Sequence, residues 1–148
     1  MFANLAMAED SINNSDRLRV GPHVGFSPYT GLIGAEFQKG HMGFTLGIPL
    51  SAGIRYYFDE NGYRWFLGAH AMYYSIEDDE TKDGVRYEEK DSTFAGLGFG
   101  YKWRWKNHWD LTLNLSVAYY RERLTNDSVE RTDEYIAVLP GITIGYTF

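Results

Sequence analysis

The residues from which catalysis could be built are few in this chain: four histidines, a scatter of serines and twenty carboxylates. Acyl-transfer or hydrolytic chemistry needs a nucleophile, a histidine and usually a carboxylate meeting at one surface. His41 and His108 fall in short polar turns, while His23 and His70 alternate with apolar neighbours and so share the polar face of their segments. Ser75 has the phase of an apolar face, and no histidine shares it. No paired-carboxylate, phosphate-loop or metal-ligand spacing is present. Cysteine is absent, which excludes disulfides, thiolate chemistry and Cys-ligated metals. With 14 basic and 20 acidic residues the formal charge is -6, which argues against a nucleic-acid binder. The expectation is a protein with no catalytic residues, no cofactor and no metal.

Two other sets of charges are more informative. Arg19, Arg55, Arg64, Lys102 and Arg104 share the polar phase of their segments near one common end, opposed there only by Glu36 and Asp110. Like charges held away from water are costly unless partnered. The acidic stretch containing Glu9, Asp10 and Asp16, an anion, or entering water would balance them. Arg121 and Arg123 instead continue the apolar phase of Tyr119. They would stand just beyond an apolar band, either as a solvated strand extension or within reach of lipid phosphates, which arginine binds bidentately.

The elements that must position these residues have a period of two. In the best stretch Trp109, Leu111, Leu113, Leu115, Val117 and Tyr119 lie on one face, and Asp110, Thr112, Asn114, Ser116, Ala118 and Tyr120 on the other. Strands are expected at about 18–27, 30–39, 42–48, 50–58, 63–76, 86–105, 109–123 and 134–148, a count of eight. Residues 42–58 keep one phase throughout and are divided at Pro49, because an unbroken strand of that length would be about 56 Å long. The turns at 59–62 and 106–108 are tight, whereas 77–91 and 121–134 read as long polar loops; the first holds eight acids against three bases. Residues 1–16 read as a flexible lead-in and 17–148 as one domain. Ala6-Met7-Ala8 fits the pattern before a secretory cleavage site, so residues 1–8 are either a signal-peptide remnant or a floppy terminus.

Alternation alone does not separate a soluble barrel from a membrane-spanning one; the polar face does. A water-facing strand surface is rich in Lys and Glu, but here the mid-strand polar faces hold Gly, Ala, Ser, Thr and Asn. Small side chains suit the interior of a narrow barrel, with Phe66, Phe94, Tyr57, Tyr74, Tyr120 and Tyr135 filling the remaining space and leaving no open pore. The large apolar face then points outward and needs lipid. The 11 residues Trp109–Tyr119 match the length a tilted strand needs to span. Tyr56, Phe58, Tyr63, Trp65, Trp103, Trp105, Trp109, Tyr146 and Phe148 gather at the short-turn end, as an aromatic girdle does at a membrane–water boundary.

The closing run Ile142-Thr143-Ile144-Gly145-Tyr146-Thr147-Phe148, with this layout, resembles the small OmpA/OmpX-type outer-membrane barrels. The resemblance is architectural and covers nearly all of residues 18–148. The chain departs from the class in Gly141, Gly145 and Thr143. The resemblance implies an antiparallel eight-stranded transmembrane β-barrel in a bacterial outer membrane, with a periplasmic N-terminus, short periplasmic turns and longer extracellular loops. It implies that Ile144, Tyr146 and Phe148 form the signal read by the barrel-insertion machinery. Expected partners are outer-membrane lipids, lipopolysaccharide and a larger outer-membrane complex. The function implied is structural or interactive; a lipid A-modifying enzyme and a soluble ligand-binding barrel are the alternatives.

Overall fold

In the computed structural model residues 17–82 and 84–148 are described. They form an all-β antiparallel sheet closed into a barrel: β1 (Arg19–Ser27), β2 (Gly31–Lys39), β3 (Met42–Ile48), β4 (Ser51–Tyr57), β5 (Arg64–Lys82), β6 (Val85–Arg104), β7 (Trp109–Thr125) and β8 (Glu130–Tyr146). Each strand pairs with its neighbours in chain order, and β1 closes the ring on β8. The phase of residues 42–58 does break at Pro49, where β3 and β4 turn back on each other with Gly47 opposite Ser51.

Following the register around the ring fixes its geometry. His23 pairs with Gly34, then Gly47, Ser51, Met72, Phe94, Tyr120 and finally Tyr135 on β8, whereas His23 itself lies against Gly145 of β8. The stagger from 145 to 135 is ten residues. With standard strand spacings it tilts the strands by about 40° and gives a backbone radius of about 8 Å. Each residue then advances about 2.5 Å along the barrel axis, so Trp109–Tyr119 covers roughly 25 Å.

Burial is inverted relative to a water-soluble core. Leu97 is 70 % exposed and Ile136 74 %, while Arg55 and Asp110 are fully buried. The interior is built of polar side chains around a small aromatic cluster, Tyr29, Tyr57 and Phe66. Glycine makes room for it at two points: a methyl group on Gly43 would strike the Glu36 carboxylate, and one on Gly100 would strike the Phe66 ring.

The connections differ from the expected layout. The stretches 77–91 and 121–134, read from sequence as loops, are mostly paired strand: β5 and β6 run to Lys82 and Val85, and β7 and β8 to Thr125 and Glu130. Their charges alternate across the ladder and pair, as Arg123 with Glu130 and Lys82 with Glu122, which stabilises strands where composition alone suggests a loop. The other two connections at that end are short, residues 28–30 and 49–50. The barrel therefore has a low wall, β1–β4, and a tall wall, β5–β8.

Candidate functional site

The alternation that turns apolar side chains outward brings His23 of β1, Glu36 of β2, Arg55 of β4, Lys102 of β6 and Asp110 of β7 together inside the barrel, all buried. Glu36 accepts from Lys102 Nζ at 2.7 Å, Tyr57 Oη at 2.5 Å and Arg55 Nη1 at 3.3 Å. Asp110 accepts from Thr147 Oγ1 at 2.7 Å and lies 3.0 Å from His23 Nε2. Lys102 Nζ stands 3.9 Å from the second Asp110 oxygen, linking the two carboxylates. Two cations therefore face two carboxylates, and the network ties opposite sides of the ring together. Above it the Arg55 guanidinium lies 4.6 Å from the Tyr29 ring centre and 4.8 Å from that of Phe66.

The expected cluster thus divides in two. Glu36, Arg55, Lys102 and Asp110 belong to the balanced interior network. Arg19, Arg64 and Arg104 do not: Arg64 is exposed, and Arg19 and Arg104 are half-buried at the mouth, both donating to the Asn61 carbonyl. Arg104 also donates to Thr147 Oγ1 at 3.4 Å. Arg19 and Arg104, with Arg17 and Lys106, line a basic cavity of about 690 Å³. The proposed acidic counterweight, Glu9, Asp10 and Asp16, lies outside the described residues, as does the whole lead-in 1–16.

Arg64 departs from its expected facing because its φ is +74°, which resets the alternation where β5 begins. Tyr63 is displaced with it: its ring lies 5.9 Å from the Arg104 guanidinium, at the mouth and out of the outer belt. The remaining girdle residues make ring contacts around the short-turn end. Tyr56 meets Phe58 at 5.9 Å, Trp109 meets Tyr146 at 5.5 Å and Tyr146 meets Phe148 at 5.0 Å. Tyr101, which the sequence reading omitted from the girdle, bridges Trp65 at 5.0 Å and Trp103 at 4.4 Å. Trp105 is exposed nearby. His41 stacks on Tyr56 at 5.4 Å, so this turn residue joins the belt as well. At the chain's end Ile144 and Phe148 face outward, and Phe148 N donates to Val20 O at 3.0 Å, extending the β1–β8 seam.

At the opposite end Arg121 and Arg123 are exposed on the outer surface of β7, each engaged by a carboxylate of β8. Arg123 Nε lies 2.6 Å from Glu130 and Arg121 Nε 3.7 Å from Glu134. Inside the tall wall, Tyr120 is 2.9 Å from Ser92 Oγ and 3.3 Å from the Tyr74 hydroxyl, with Phe94 packed between the rings. Tyr135, expected to fill the interior, contacts Tyr120 at 4.4 Å but is half exposed. Higher still, Glu122 is buried between Lys82 and Lys90. Burial opposes its ionisation, yet the hydrogen bonds from the two lysines prevail and hold its carboxyl below the usual range.

Sequence reasoning missed two contributors: Tyr29 sits in a turn yet folds down into the barrel, and Thr147 comes from beyond the last strand. Tyr57 was placed in the interior by its phase, but as filler and not as the donor to Glu36 that it is. Among the described residues no cluster of three or more metal-ligating side chains occurs. A family model described as Protein of unknown function (DUF3575) matches residues 3–137. No curated protein and no solved structure matches the chain.

Proposed function

As a member of the DUF3575 family, whose description names no function, the chain is best read through its own chemistry, and we propose that it is an integral outer-membrane β-barrel with a structural or interaction role, no open pore and no enzymatic activity. The observation that carries the reading is the inversion of polarity: a continuous outer surface of exposed Leu, Ile, Val and aromatic side chains around an interior of buried ions and hydroxyls. Such a surface, far larger than the apolar patches monomers tolerate in water, needs lipid to cover it. A height of roughly 25 Å and an aromatic belt at one end suit an outer membrane. Its partners on this reading are outer-membrane lipids, the insertion machinery that reads Ile144, Tyr146 and Phe148, and lipopolysaccharide at Arg121 and Arg123. The salt bridges to Glu134 and Glu130 compete with that last contact, so phosphate would have to displace a carboxylate. The tall wall raises about 15–20 Å of strand clear of the apolar band, a surface suited to contact with another envelope component.

The test is fractionation and extraction of the native protein. It should stay with membranes through an alkaline wash, require detergent for release, and migrate differently on a gel before and after boiling. A chain that stays dispersed and folded in buffer without detergent would overturn the proposal. Recovery with companions, or alone, then decides between a subunit of a larger assembly and a stand-alone barrel.

A further inference from the structure

Below the rim of the low wall the barrel interior is polar; just above it, before the Tyr120, Ser92 and Glu122 network, the inner face of the tall wall carries an apolar patch. Met72, Phe94 and Leu139 point inward there, and with Phe26, Leu32 and Pro49 of the low wall they line a cavity of about 370 Å³, within the size range of small-molecule sites. The hydroxyls bordering this basin are turned away into their own network, Tyr74 to Tyr120 and Tyr120 to Ser92. An apolar concavity at the open end of a barrel is unexpected if it is filled only with water.

The register says where the basin opens. The low-wall strands end at Ser27, Gly31, Ile48 and Ser51, a level about 6 Å short of Tyr119 along the barrel axis. On the membrane reading, that rim lies within the outer half of the apolar band. Phe26 and Leu32, 53 % and 57 % exposed, form part of both the cavity lip and the apolar outer surface. Lipid standing beside the low wall therefore meets a continuous apolar path over the rim into the basin. We infer that this basin is a binding site for an acyl chain of an outer-leaflet lipid, entered sideways over the low wall. The inference rests on the proposed membrane location.

The experiment uses the whole protein in vesicles of phosphatidylethanolamine and phosphatidylglycerol, doped with a phosphatidylcholine bearing a mid-chain diazirine. After photolysis, adducts are located by peptide mass spectrometry. Adducts are expected on inward Phe94 and Leu139 as well as on outward Leu97 and Val138. The variant Leu139→Glu should lower labelling of Phe94 several-fold and leave Leu97 labelled as before. Labelling confined to Leu97 and Val138, or Phe94 labelling unaffected by the variant, overturns the basin and leaves the membrane location standing. No labelling of Leu97 or Val138 overturns both.

Discussion

Glu36 is the residue on which the interior turns. It is buried, and Arg55, Lys102 and Tyr57 all direct their donors at it. Removing the carboxylate takes from Arg55 its carboxylate partner and leaves Lys102 only the 3.9 Å contact to Asp110, and breaking a buried pair from one side costs about 3–5 kcal/mol. Glu36→Ala should therefore lower unfolding stability by that order in detergent or vesicles, measured by denaturant titration, whereas Arg64→Ala should change it by under about 0.5 kcal/mol because Arg64 is exposed. Equal effects of the two would show that the interior is solvated enough to tolerate lone charges. The members of this network were largely legible in the sequence, because a period of two sorts every residue between its left-handed interruptions. Arg64 and Tyr63 were misplaced because one positive φ resets the phase, and arginine gives no sequence signal for that backbone state. Tyr29 was invisible for a different reason: periodicity says nothing about a turn residue that folds inward.

At the scale of elements, the band and the hairpins beyond it should respond to different perturbations. Leu113 faces outward near the middle of the apolar stretch of β7, so Leu113→Arg should cost roughly 2–4 kcal/mol if lipid covers it. A cost near zero in refolding from urea into vesicles would place that face in water. The outer halves of the hairpins depend instead on carboxylates. Hydrogen bonds from Arg123 and Arg131 hold Glu130 and Asp133 below their usual values, as Lys90 and Lys82 do for Glu122. A lowered folded-state value adds stability above the unfolded value and loses it as pH falls through the folded one. Below about pH 4 amide exchange, corrected for intrinsic rate, should quicken at 121–125 and 130–134 while 111–119 stays protected. Uniform protection across both regions would show that these ion pairs do not hold the hairpin. The same pairs explain why the hairpins were illegible. Eight acids in fifteen residues resemble a loop until Lys82 and Lys90 of the two strands are set against Glu122 of β7 and Asp133 of β8, and composition contains no register.

The whole molecule is a ring with unequal walls, and its weakest join follows from that asymmetry. The β6–β7 ladder runs from Glu89↔Thr125 to Arg104↔Asp110, but the closing β1–β8 ladder is limited to His23↔Gly145 through Phe26↔Ile142. Below it, Phe148 N to Val20 O adds one more bond; above it, β1 has ended and β8 continues with that edge unpaired by β1. Around the closed part of the barrel there is no edge to fray from, so opening must part a ladder there, and the shortest ladder, with the unpaired edge of β8 above it, is where that costs least. Val24 and Ile144 face each other across this seam on the outer surface. Directly opposed residues of an antiparallel pair have Cα atoms about 4.5–5.5 Å apart, within disulfide reach. Because the chain has no cysteine, Val24→Cys combined with Ile144→Cys creates a single defined cross-link. Oxidised, this variant should unfold at a distinctly higher temperature than the same protein reduced. The matching pair Leu97→Cys with Val117→Cys, inside the long β6–β7 ladder, should gain little from oxidation. If both cross-links raise the transition equally, the ring opens nowhere in particular, and the short closing ladder is as strong as the long ones.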